Sequence, residues 1–221
     1  MKRFFALIAI SSLFVACGGP EGTAVEAKDA VDAAAETTTE LVASAQYNVD
    51  PAASIVNWEG AKIAYGHAGT VPVTSGRLMV AEGNIVGGKF SLDFRKMECT
   101  DSLKAEKKAK LIGHLQSADF FDTEKYPMAE FTITQVQPAA ADAGYSHEIT
   151  GNLMMRGEER SITIPASITM EGGMLKATTP KFTIDRTEWG VNYNNSGIAG
   201  IIKDDIINDN LGLQIKLVAG K

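Results

Sequence analysis

Along most of the chain beyond residue 45, apolar and polar side chains alternate. In GKFSLDF (88–94), Phe90, Leu92 and Phe94 are interleaved with Lys89, Ser91 and Asp93, so an extended backbone puts three large apolar groups on one face. EFTITQV repeats the device with Phe131 and Ile133, SITIPASITM with Ile162, Ile164, Ala166 and Ile168, and LGLQIKLV with Leu211, Leu213, Ile215 and Leu217. YSHEITGNLMM sets Ile149, Leu153 and Met155 on one face, which Gly151 interrupts. Glycine turns separate the runs, in AEGN, DAGY and EGGM. This pattern predicts about eight amphipathic strands in antiparallel hairpins, closing into a barrel or sandwich.

One stretch follows a different period. In SLKAEKKAKLIGHL (102–115), Leu103, Leu111, Ile112 and Leu115 fall at helical spacing around a lysine-rich face. A single helix is expected here, lying across one end of the sheet and shutting it. The residues that follow, GHLQSADFFDTEKYPMAEF (113–131), extend that closure. Ser117 or Asp119 can cap the turn, and Phe120 and Phe121 can plug apolar surface at that end. Tyr126-Pro127 stops any helix, because proline biases its predecessor towards extended geometry, and Phe131 opens the next strand facing inward.

The amino terminus is different again. Lys2 and Arg3 precede an apolar run over residues 4–15, too short for the roughly 20 residues that span a bilayer, so residues 1–16 are expected to be a signal peptide. The run ends in FVAC (14–17), similar to a bacterial lipoprotein box. That makes Cys17 the expected acylated amino terminus, with two or more acyl chains (palmitate among them) anchoring the protein in the envelope of a Gram-negative bacterium. The alternative is a plain secreted protein. Residues 17–45 are rich in Ala, Glu and Thr and are expected to form a flexible tether, leaving residues 46–221 as the folded domain.

Charge and cysteine content narrow the function classes. Without Lys2 and Arg3 the chain keeps 19 basic against 27 acidic residues, a formal charge of −8. This balance argues against nucleic acid and against anionic lipid surfaces as partners. If Cys17 is acylated, Cys99 stands alone and no internal disulfide can form, so stability must come from a core. His67, His114 and His147 sit in separate segments without ligand spacing, and no metal or other cofactor is expected. No G-x-S-x-G elbow is present, and the one glycine pair before a lysine, Gly87-Gly88, opens a strand instead of the helix that a phosphate loop needs. Adjacent acids such as Asp119, Asp122 and Glu124, or Asp204 and Asp205, read first as solvated surface. Inward-facing apolar surface is what the chain has in quantity. A closed barrel of about eight strands can be filled by side chains or can hold one small ligand. The small inward residues Gly151 and Ala166 tip the balance towards a cavity.

Ordered motifs then carry a resemblance. YNVDPAASIVNWEGAKI (47–63), GHAGTV (66–71), GGKFSLDF, HLQSADFFDTEKYPMAEF, YSHEITGNLMMRG, FTIDRTEWGVNY (182–193) and the terminal LGLQIKLVA together resemble the YceI-like family of lipid- and polyisoprenoid-binding proteins. The resemblance implies an all-β fold: an extended, antiparallel, lipocalin-like barrel with one helical insertion closing an end and an interior that takes a long apolar chain. It implies binding instead of turnover, with a polyisoprenoid, quinone or similar amphiphile as ligand and the membrane as partner through the acyl anchor. The chain departs from many members at MMRGEERS (154–161), where Met154, Glu158 and Glu159 replace hydroxyl and apolar residues. The candidate wall comprises Phe90, Leu92, Phe94, Phe131, Ile133, Leu153, Met155, Phe182, Ile184 and Trp189, with Phe120 and Phe121 at the closure. Arg186 is the candidate polar group, either meeting a ligand head or pairing with Asp185 or Asp119. Two other readings stay open: an interaction module with a filled barrel, and a hydrolase or isomerase acting on a lipid. Homodimerisation also stays open, two-fold pairs being the commonest assembly.

Overall fold

A computed structural model describes residues 19–31 and 44–221. The expected signal peptide, Cys17 and the rest of the expected tether lie outside these residues. The barrel is built from β3 (Ala45–Val49), β4 (Ile55–Ala61), β5 (Gly66–Ala81), β6 (Asn84–Asp93), β8 (Met128–Pro138), β9 (His147–Met155), β10 (Glu158–Glu171), β11 (Met174–Thr178), β12 (Phe182–Asp185) and β13 (Asn210–Gly220), with a short β7 (Glu98–Cys99) beside β5. Neighbours run β12, β13, β11, β10, β9, β8, β6, β5, and β5 returns to β13 through β3 and β4, which pair with both. The sheet therefore closes on itself as the alternation predicts.

Local chemistry sets the hairpins. Glu82-Gly83, Arg156-Gly157 and Gly172-Gly173 all have positive φ at both residues, the conformation of tight two-residue turns whose twist matches the flanking strands. The helix α1 (Ala105–Gln116) falls within the stretch that the 3.6-residue period marks. Its amino-terminal end lies beside β7, and its carboxyl-terminal end meets the segment after β12 through His114 and Tyr193, whose rings stand 5.0 Å apart. It thus runs along one end of the barrel.

The barrel wall has a notch, filled from an unexpected source. The β13 strand takes β12 on one side near that end and β11 further on, while β10 pairs with β11 only through residues 167–171. Between β12 and the first half of β10 lie β1 (Thr23–Ala24), parallel to β12, and β2 (Lys28–Asp29), antiparallel to β10. Residues 19–31, within the stretch expected to be a flexible tether, thus form an ordered strap in the wall. Val25 and Ala27 pack against the core, and the buried Asn152 side chain accepts from Val31 N–H at 3.1 Å and donates to Val31 O at 2.7 Å. Asn152, Ser161 and Thr183 are polar yet buried: Asn152 is bonded to the strap, and Ser161 and Thr183 pair with Lys28 and Ala24.

Candidate ligand-binding site

The barrel interior is a cavity of about 630 Å³, not a filled core. Every expected wall residue lines it except Ile133 and Trp189. Phe90 and Phe131 sit opposite each other on β6 and β8, with ring centroids 5.6 Å apart. Leu153 and Met155 come from β9, Ile162 and Ile164 from β10, and Phe182 and Ile184 from β12. The β13 residues Leu211, Leu213 and Ile215 line it too, and they are only partly buried because they face this space. Val56, Trp58, Val71, Met97 and Ala129 complete the wall and were not singled out from sequence. Val56 and Trp58 alternate on β4 and could have been found by the same period-two signal.

The two absentees have physical reasons. Trp189 is fully buried in the short helical turn Arg186–Trp189, and its Nε1–H donates to Leu153 O at 2.8 Å, so it pins that turn to β9 from behind the wall. Ile133 is buried in the core outside the cavity. Gly151 does not create the space either. A Cβ there would meet the Phe131 ring and stand 2.6 Å from Thr132 O, so Phe131 occupies the room that the glycine leaves. Ala166 is buried away from the cavity. The cavity reaches the helical end of the barrel, where residues of α1 and of the turn after it line it.

That end is the mouth. Lys62 and Tyr65 line it from the β4–β5 connection and His67 from the start of β5; Tyr193, Asn194 and Asp205 line it from the connection between β12 and β13. Leu111, His114 and Leu115 border it from α1, and Phe120 and Phe121 from the turn that follows. Phe121 stacks on Phe94 with centroids 4.6 Å apart, and His114 meets Phe120 and Tyr193 edge-on at 5.0 Å each. Ser117 caps the helix by donating its hydroxyl to His114 O at 2.8 Å, while Asp119 pairs with His114 Nε2 at 3.0 Å. The helix and the Phe pair cover part of the mouth, and Tyr65, 56% exposed, carries the rim into solvent.

Arg186 borders the cavity but its donors are engaged. Its Nε–H goes to Asn208 O at 3.1 Å, Nη2 to Ile207 O at 3.0 Å and to Asp209 Oδ1 at 3.5 Å, and Nη1 to Val191 O. Its acidic partner is thus Asp209, and neither Asp185 nor Asp119 fills that place. Asp185 instead accepts from Thr187 N–H at 2.9 Å, and Asp119 is held by His114. Burial pushes the Arg186 pKa down, opposed by the charges of Asp209 and Asp185. The guanidinium clamps the segment after β12 onto the start of β13 and shapes the mouth without presenting a free fork to a ligand head.

Two further groups stand near the mouth. Trp58 Nε1 is buried with no hydrogen-bond partner, its ring edge packed where Gly69 lacks a side chain. Cys99 on β7 is buried, and that burial raises its thiol pKa. Among the described residues no group of three or more His, Cys, Asp or Glu could hold a metal ion.

A closed antiparallel barrel around an apolar cavity with a polar-rimmed mouth defines the class of small-ligand-binding barrels. Within that class the chain belongs to the family described as YceI-like domain, which matches residues 47–219. It is 29% identical over 132 residues to a UPF0312 protein of Pseudomonas putida strain GB-1, covering 58% of this chain and 65% of that one. To Protein YceI of Escherichia coli O157:H7 it is 41% identical over 59 residues, 27% of this chain and 29% of the relative. The chain thus matches less than two thirds of the length of these relatives. Among solved structures it is similar to BcnA of Burkholderia cenocepacia, with a TM-score of 0.61, 19% identity, and coverage of 77% of this chain and 98% of that one. A polyisoprenoid binding domain from Saccharophagus degradans gives a TM-score of 0.56 at 13% identity, covering 79% and 97%. These likenesses confirm the barrel fold.

Proposed function

We infer that the protein binds one long apolar lipid, a polyisoprenoid, quinone or similar amphiphile, in the barrel and holds or carries it without turning it over. The observation that carries this reading is the cavity of about 630 Å³ with aliphatic and aromatic walls and its polar groups gathered at the mouth. Such a space suits a chain that enters tail first and leaves its head near the rim. Ten buried methylenes contribute about 8 kcal/mol before ordering costs, so even part of a long tail supplies useful affinity. The polyisoprenoid binding named for the Saccharophagus domain supports the same class of ligand. The expected acylated Cys17 would keep the carrier at the envelope facing the periplasm, where its cargo resides.

The test is extraction of lipid from the purified protein followed by mass spectrometry, alongside uptake of added polyprenyl compounds. One apolar lipid per chain is expected, and Ile164→Trp, which fills the cavity from β10, should lose it while keeping the fold. A protein that carries no lipid and takes up none would refute the reading.

A further inference from the structure

Nine large apolar side chains are exposed among the described residues: Val31, four methionines scattered over the strands (Met128, Met154, Met170 and Met174), and four residues gathered in two loops. Ile63 and Tyr65 are 53% and 56% exposed in the β4–β5 connection, and Ile198 and Ile202 are 43% and 69% exposed in the connection between β12 and β13. These two loops form the cavity mouth through their neighbours Lys62, Asn194, Ile201 and Asp205. They are also fastened together, since Lys62 bridges to Ile207 and its ammonium stands 3.3 Å from Asp205. The exposed isoleucines and tyrosine therefore lie on two joined loops that border the entrance, an apolar collar at the rim. Of these residues Tyr65 lines the cavity itself, so apolar surface continues from the lining to the rim there.

Charge and chain path point the same way. The helix α1 lies along the mouth with no buried residue, and it and its amino-terminal flank carry exposed Lys104, Lys107 and Lys110, with Glu106 on the helix and Glu98 on the adjoining β7 as exposed acids near them. Against the chain's overall charge of −8 after the leader, α1 is a locally basic face beside the apolar collar, and the collar loop that carries Ile202 exposes Lys203 together with Asp204 and Asp205. The strap approaches the same end. Gly19 packs against the Asn208 side chain, where a Cβ would collide, and Asn208 lines the mouth. Cys17 precedes Gly19 by two residues, a reach of about 7 Å at most. An acyl chain on Cys17 would hold the mouth against the bilayer and leave the far end pointing away.

From this we propose that the mouth collar is a membrane-docking surface. Ile63, Tyr65, Ile198 and Ile202 enter the headgroup boundary of an anionic bilayer, the α1 lysines meet lipid phosphates, and the cavity opens directly onto the lipid from which it is filled. Apolar side chains flanked by lysines are what binds at such a boundary, and the two contributions act together. The proposal rests on the lipid-binding reading for its purpose, and on the collar alone for its geometry.

A tryptophan reporter separates these. Ile202→Trp at the collar and Met174→Trp at the opposite end are compared in the full chain, mixed with phosphatidylcholine vesicles with and without phosphatidylglycerol, some lipids bearing bromine at known depth. The reporter at 202 should shift to the blue and be quenched about five-fold more than the one at 174, more so with phosphatidylglycerol. Equal quenching at both ends, or none at 202, overturns the proposal. Repeating the measurement with Cys17→Ser isolates the collar from the anchor: a retained signal at 202 supports the proposal, and its complete loss overturns it. Adding Ile63→Ser, Lys107→Gln and Lys110→Gln should weaken vesicle binding about ten-fold without altering the far-ultraviolet spectrum. Lipid extraction from the same preparations keeps the two readings apart. Quenching at 202 in a chain that never holds lipid refutes the carrier and leaves the docking surface standing; lipid in the chain with no quenching at 202 refutes the docking surface alone.

Discussion

Asp93 and Asp101, at the helical end of the barrel, are held ionised by partners that the fold delivers to them. Arg95 grips Asp93 through Nε and Nη2 at 2.9 Å each, and that hydrogen bonding holds the buried carboxyl below its ordinary value. Burial would raise Asp101, but hydrogen bonds from His67 Nδ1 at 2.7 Å, from Ala68 N–H at 3.1 Å and from Cys99 outweigh it and bring it down. A carboxylate lowered on folding stabilises the native state above its unfolded value of about 3.9, and that contribution fades as pH falls through the folded value. Acid should therefore loosen the mouth. In urea titrations Asp93→Asn and Asp101→Asn should unfold at lower denaturant than the parent at neutral pH, and all three should draw together in strong acid, as pH falls through the lowered folded values. Variants that stay apart by the same margin at both pH values would show that the ionised form matters little. The Asp101 pairing was not legible in the chain, because Asp101 meets His67 across 34 residues through β7 and β5. Arg186 was legible as a special residue, but its partner was not. The acid next to it in sequence caps its own turn, and Asp209 arrives from the far side of a long connection.

Strands and helix were the legible elements, since period two and period 3.6 survive wherever one face of an element meets the core. The strap was not. Residues 19–31 hold no run of alternating large side chains, and their order comes from hydrogen bonds to β10, β12 and Asn152 with only Val25 and Ala27 packed inward. A segment with so little apolar surface is held by its notch instead of by its own propensity. Asn152 is the strongest single tie, because its side chain meets both polar groups of the Val31 backbone. Removing it should cost about 1–3 kcal/mol by leaving those groups unpaired. In Asn152→Ala the amides of Val25 and Val31 should exchange with deuterium at least tenfold faster, while those of β6 and β8 stay as in the parent. Uniformly faster exchange would instead mean that the strap and the barrel open as one unit.

At the scale of the whole molecule, a cavity this large inside a barrel this small has to be reconciled with stability. The seven largest fully buried side chains, Trp189, Phe182, Leu78, Leu175, Ile184, Val73 and Val191, are spread around the wall, and only Phe182 and Ile184 of these touch the cavity. The wall thus has packing of its own, and the empty lining forgoes contacts that a ligand would restore. Strict alternation announced inward apolar faces in the sequence but could not say whether they meet in the middle. Phe131 filling the place beside Gly151 shows why, since the space at one position is decided by a residue on the neighbouring strand. Bound lipid should therefore act as part of the core. At a hundredfold excess over its dissociation constant it would add about 2.7 kcal/mol, raising the melting temperature of a domain this size by about 5–10 °C. Calorimetry of delipidated and reloaded protein checks this directly. Ile164→Trp should narrow the gap from the other side, because an indole that fills the cavity supplies some of the missing contacts and removes the response to lipid. If delipidation leaves the melting temperature unchanged, the cavity lining is stable when empty and the lipid contributes nothing to the fold.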